Sequence, residues 1–114
     1  MKTDVLYYTT PDGKSPFVSF LNSLQQHAAA KVIRLISQIK EYGILSILPH
    51  TKKITGLPLW EIRILGKDSI RMLYATRREH AIIILHGFIK KTQDTPPKEL
   101  AIAIKRLRQC QGTS

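Results

Sequence analysis

The sequence predicts a single α+β domain over residues 1–114: an N-terminal strand and a helical hairpin packed on a twisted antiparallel sheet, with a closing helix. Three observations carry that prediction. Apolar runs at 59–65, 70–76 and 81–88 are separated only by GKDS and RREH, the pattern of consecutive antiparallel strands. Ahead of them, residues 28–42 place Val32, Leu35, Ile36 and Ile39 at three- and four-residue spacing, the period of a helix with one buried face. Behind them, Leu100, Ala103, Ile104 and Leu107 repeat that helical spacing. A hydrophobic fraction of 43% over 114 residues suits one core and leaves no room for two.

Taken in order, Asp4–Thr10 reads as a strand stopped by Pro11-Asp12-Gly13, with Tyr7 and Tyr8 on opposite faces. Ser15 is a helix cap with Pro16 at the first helical position, and Phe17, Phe20, Leu21 and Leu24 form the apolar stripe. Gln25-Gln26-His27 is a soft break, Ala28–Tyr42 a second helix, and Gly43 its stop. Residues 44–56 read as a linker broken by Pro49 and carrying Lys52-Lys53. In the first strand of the meander Trp60, Ile62 and Ile64 share one face, and Glu61 and Arg63 the other; in the second, Arg71 opposes Ile70, Met72 and Tyr74. The third run is almost wholly apolar, which predicts the most buried strand, a central one. Thr95 caps the last helix, with Pro96 as its first residue and Gln109 near its end. Lys105, Arg106 and Arg108 near that end complement the helix dipole.

Charge narrows the function classes. Eighteen Lys and Arg against eight acids give +10, and residues 50–91 hold nine of those cations with three acids, a local +6. Charge of this sign on a predicted sheet favours a nucleic acid or an acidic protein partner. No apolar run approaches the length of a membrane span. The N-terminal MKTDVLYYTTPDG holds an acid and an early turn in place of a signal segment. One cysteine, Cys110, excludes an internal disulfide, and with dispersed histidines at 27, 50, 80 and 86 it predicts neither metal nor other cofactor. A reducing, cytoplasmic home is the expectation.

There is no Gly-rich phosphate loop and no nucleophile–base–acid set. What remains is a group of bases: Arg63, Arg71, His86, Lys90 and Lys91, with Lys52, Lys53 and Tyr74 nearby. Such a set suits RNA cleavage by the strand's own 2′-hydroxyl. That reaction needs a proton acceptor, cations on the phosphate oxygens and a donor for the leaving 5′-oxygen. Arginine grips two phosphate oxygens with a planar fork, while histidine or a lysine of lowered pKa carries protons. Each residue also has a structural explanation. Arg63 could pair with Glu61 or Asp68, His86 could be a satisfied core histidine, Tyr74 and Trp60 fit the core, and the lysines fit solvated strand ends.

LWEIR at 59–63, IRMLY at 70–74 and LHGFIKKTQDTP at 85–96, followed by a basic helix, resemble the RelE/HigB-type toxins of type II toxin–antitoxin systems, and within them the phage-derived HigB-like branch. The resemblance implies a RelE-like fold and ribosome-dependent, metal-independent mRNA cleavage that inhibits translation. It also implies a cognate antitoxin, typically a helix-turn-helix DNA-binding protein, besides the ribosome and mRNA. On this likeness Arg63, Arg71, Lys90 and Lys91 match the family's basic sheet residues, and Lys52 and Lys53 its lysines ahead of the meander. The family's C-terminal tyrosine has no counterpart, so His86 or a lysine would carry the proton. Two other functions fit the same residues: a ParE-like gyrase-inhibiting toxin, and a non-catalytic basic module that binds RNA or the ribosome.

Overall fold

A computed structural model describes residues 2–64, 66, 69–78, 80–90 and 94–112, with nothing said of the side chains of 111 and 112. Strand β1 (Asp4–Tyr7) leads into helices α1 (Pro16–Ser23) and α2 (Gln26–Tyr42). A 3-10 helix (Ile44–His50), strands β2 (Thr51–Lys53), β3 (Trp60–Ile64), β4 (Ile70–Arg77) and β5 (Ala81–Ile89), and helix α3 (Pro97–Gly112) follow. The strands form one five-stranded sheet in the order β1-β5-β4-β3-β2.

The expected meander is there: β3–β4 and β4–β5 are antiparallel over nearly the lengths that the apolar runs mark out. The third run is, as expected, an interior strand: β5 lies between β4 and β1 and is covered on both faces. Two features of the sheet differ from expectation. It is mixed, because β1 runs parallel to β5, as a strand returning through a long helical crossover can. The expected linker holds a 3-10 helix and a fifth strand, β2, whose Lys52 stands opposite Glu61.

Local signals explain the helices. The Ser15 hydroxyl accepts from the Val18 amide at 3.4 Å and caps α1, with Pro16 first in the helix. The turn between α1 and α2 is tighter than expected, since α2 already begins at Gln26. Gly43, at φ 91°, ends α2 where a side chain would be strained. The start of α3 corrects the cap assignment. Pro96 offers its carbonyl to the Glu99 and Leu100 amides, Pro97 is the first helical residue, and the Thr95 hydroxyl is spent on Glu61.

Two cores sandwich the sheet. Under α1 and α2 lie Phe17, Val32, Ile36 and Ile39 with Ile62, Met72, Tyr74, Ile82 and Ile84. Under α3 lie Leu59, Leu73, Ala75, Ile83, Leu85 and Phe88 with Ala103 and Leu107. Tyr7 stacks on Phe17 at 5.6 Å in the first core, and Tyr8 joins the second, so the pair does split across the sheet. Tyr74 is core, stacked on Trp60 at 6.3 Å, and burial pushes its phenol up to about 12.

Candidate nucleic-acid interface

A β-bulge decides which side chains meet. Leu73 pairs with His86 but Tyr74 pairs with Ile84, so Leu85 is an extra residue on β5. Strict alternation from Ile84 would send His86 and Phe88 beneath α1; the extra residue reverses the phase. His86 and Phe88 therefore share the α3 face with Arg71 and Glu61, and Gly87 turns to the α1 face. A Cβ on Gly87 would lie 2.6 Å from the Phe20 ring, so only glycine fits beneath it.

The centre of the α3 face is a carboxylate. Glu61 is 1% exposed; its Oε1 lies 3.5 Å from Arg71 Nε and 3.8 Å from Lys90 Nζ, and its Oε2 accepts from the Thr95 hydroxyl. Among the described residues, two cations and one anion leave a covered cluster with one positive charge in excess. Arg71 also donates Nη1 to its neighbour Ile70's carbonyl at 3.1 Å, while its buried Nε has no hydrogen-bond partner among the described residues. The side chains of Arg71 and Lys90 are 15% and 9% exposed, so both are largely covered yet keep a small opening to solvent.

Beside this cluster His86 is held from both sides by α3. Its Nδ1 accepts from Arg106 Nη1 at 3.2 Å, which leaves the proton on Nε2, 2.9 Å from Glu99 Oε1. Burial lowers its pKa first, helped by the Arg106 charge, and Glu99 opposes the shift. Its ring stacks on Phe88 at 5.5 Å. Arg106 reaches further, donating to the Leu85 carbonyl at 2.8 Å and lying 5.3 Å over the Tyr8 ring. It is thus a pin between α3 and the sheet, not the dipole-complementing surface charge that its place near the helix end implies.

The expected cations do not form one cluster. Arg71 and Lys90 converge on Glu61, and exposed Lys52 stands opposite it on β2. Lys53, one residue on, points the other way, its ammonium bonded to the Ile54 and Leu57 carbonyls. Arg63 is the cross-strand partner of Arg71, yet Glu61 is engaged by Arg71 and Lys90 rather than by Arg63. Arg63 instead lines a groove with Lys31, Arg34 and His50 at the β3 edge. Lys91, and Asp68 as a partner for Arg63, lie outside the described residues. Glu61, Thr95, Glu99 and Arg106 are site residues that sequence reasoning had not selected.

Among the described residues no group of three His, Cys, Asp or Glu side chains is placed to hold a metal, and no helix is long and apolar enough to cross a membrane. The chemistry on hand is electrostatic: a covered cluster with a surplus cation, exposed Lys52 on the neighbouring strand, and a histidine fixed in one tautomer. A comparison with curated proteins found no match. A family model described as "Phage derived protein Gp49-like (DUF891)" matches residues 19–108, from within α1 through the whole meander and most of α3.

Proposed function

The chain belongs to the phage-derived Gp49-like family, which is associated with toxin–antitoxin systems, and from that premise we propose that it is the toxin of such a pair, a ribosome-dependent mRNA endonuclease. The observation that carries the reading is the surplus positive charge at Glu61. A covered cluster of two cations and one carboxylate gains most from an anion that arrives at its mouth, because charges interact strongly where water is excluded. A scissile phosphate is such an anion, and Arg71 offers it a planar donor set while Lys90 offers a point charge.

In this reading the 2′-oxygen attacks phosphorus as its proton passes to solvent, and the bond to the 5′-oxygen breaks as that oxygen takes a proton from the Lys90 ammonium. Arg71 and Lys90 stabilise the charge that builds on the phosphate oxygens. Glu61 and Thr95 do not touch the substrate; they fix the two cations. Lys90 is the stronger candidate for moving a proton. Both nitrogens of His86 are occupied by α3, so its part is to position that helix. An antitoxin is the expected protein partner, and an acidic segment across the cationic face would neutralise it.

The test is expression from a tightly repressed promoter with mRNA 5′ ends mapped by primer extension, beside a ribosome-free reaction. In-frame cuts that need ribosomes, lost in Arg71→Ala, support the reading. Growth arrest with intact mRNA and broken DNA would replace it with gyrase inhibition. RNA or ribosome binding with neither arrest nor cuts would reduce it to a binding module.

A further inference from the structure

The groove at the free edge of β3 has no part in the chemistry above. The β2–β3 pairing runs out where Thr51 stands opposite Ile62, so Arg63 lies past its end and lines a groove together with the flank of α2. The groove there has a volume of about 230 Å³. Its polar lining is Lys31, Arg34, Gln38, His50 and Arg63, and its apolar floor is Leu35 and Ile64. No carboxylate lines it among the described residues. Residues 31, 34, 35 and 38 follow the three- and four-residue spacing that puts them on one side of α2. Two neighbours fix its walls: Gln38 donates to the Ser46 carbonyl at 3.4 Å, and the Lys31 ammonium stands over Gly66, 2.8 Å from where a Cβ would be.

We propose that this groove binds the phosphodiester backbone of the RNA strand alongside the cleaved linkage, with Lys31, Arg34 and Arg63 on successive phosphates. The proposal rests on the endonuclease reading for the identity of the strand and deepens it. Three features favour RNA over an acidic peptide. Arg63 and Arg71 are direct cross-strand partners, so a strand whose phosphate sits at Arg71 passes Arg63 next and reaches the groove by turning round the β3 edge. Lys31, Arg34 and Arg63 line the groove with no carboxylate among the described residues, which suits a polymer with one negative charge per repeat. Two of them are arginines, whose forks match phosphate oxygens in pairs. Arg63 is then a substrate-positioning residue, separated in role from Arg71.

The test uses the intact protein and a fluorescein-labelled single-stranded RNA carrying 2′-O-methyl at every ribose, which cannot be cleaved. Binding is read by anisotropy across a salt series. Lys31→Ala/Arg34→Ala changes two exposed residues to a better helix former, so α2 should stand. Loss of two phosphate contacts lowers the slope of log affinity against log salt by about 1.4, from about 0.7 for each contact on a single strand, with affinity down roughly tenfold. Arg34→Glu lowers affinity further, whereas Lys40→Ala, on the opposite side of α2, leaves slope and affinity unchanged. An unchanged slope in the double variant overturns the groove assignment, as does a loss confined to poly-glutamate binding with RNA unaffected. If RNA binding follows the groove but the mRNA on programmed ribosomes is never cut, the endonuclease reading falls and the groove stands.

Discussion

The surplus charge at Glu61 makes an asymmetric prediction about stability. Glu61→Gln keeps the shape and removes the anion, leaving Arg71 and Lys90 covered and mutually repelling. At an effective dielectric of about 20, each attraction lost, at 3.5 and 3.8 Å, is gross about 4–5 kcal/mol. After solvation is allowed for, breaking such a covered pair from one side costs about 3–5 kcal/mol. Against a total stability of about 5–15 kcal/mol, that is a large fraction.

Lys90→Met behaves differently. It keeps the aliphatic stem, discards the ammonium and its desolvation cost, and leaves Arg71 and Glu61 as a neutral pair. The two effects nearly cancel, so the change lies within about 1 kcal/mol of zero in either direction. Equilibrium unfolding in urea at low ionic strength reads both variants directly, provided m is unchanged. Pyrophosphate gives a second reading: an anion that binds the native cluster raises the urea midpoint of the wild type, and much less that of Lys90→Met. If Lys90→Met costs as much as Glu61→Gln, or if the anion stabilises both proteins equally, no surplus charge exists and the carrying observation for the proposed function is gone.

Further outcomes follow from the contacts of α3 and β5. His86 has a lowered pKa, so the unfolded chain binds its proton more readily and stability attached to this group falls as pH drops through 6.5 toward the lowered value. Urea midpoints between pH 8 and pH 5.5 should therefore diverge less in His86→Gln than in the wild type; identical divergence would contradict the neutral tautomer. Arg106→Lys keeps the charge but falls short of the place where Nη1 serves the Leu85 carbonyl and His86 Nδ1 together, at about 1–3 kcal/mol by denaturant unfolding. Gly87→Ala sets a methyl 2.6 Å from the Phe20 ring, and overpacking there costs about 1–3 kcal/mol, visible as a lower Tm; a neutral result would mean that the Phe20 ring yields freely.

Most of the scaffold was legible because its signals are local. The three apolar runs became β3, β4 and β5 almost residue for residue, Ser15 and Pro16 started α1, and Gly43 ended α2. The errors share a physical origin in pairings that only the folded chain defines. Lys52 belongs to a strand because β3 offers an edge, which a three-residue segment cannot announce. The bulge at Leu85 was invisible in AIIILHGFI, since a run that is apolar on both faces carries no phase to interrupt. Thr95 reads as a helix cap by its neighbours alone; a buried carboxylate from another strand took its hydroxyl instead. Arg106 looked like a surface charge because helical spacing does not reveal a carbonyl and an imidazole waiting across the interface.

That origin also explains why the cations fell into two sets. Arg63 and Arg71 are equivalent in sequence, each the polar residue of an alternating strand, and the sheet even pairs them. What separates them is the length of β2 and the presence of Glu61. Because the β2–β3 pairing runs out opposite Ile62, Arg63 has an open edge to turn toward, and it lines a groove with the cations of α2. Because Glu61 is buried one strand over, Arg71 is drawn under cover beside Lys90. An arginine already desolvated and oriented has less to lose when a phosphate arrives, which suits it to charge that develops during reaction. An arginine in an open groove still exchanges water and counterions, which suits it to binding and to salt dependence. Arg71→Ala should therefore depress the rate at saturating substrate, and Arg63→Ala chiefly the affinity. Equal effects of the two variants on kcat would merge the sets again.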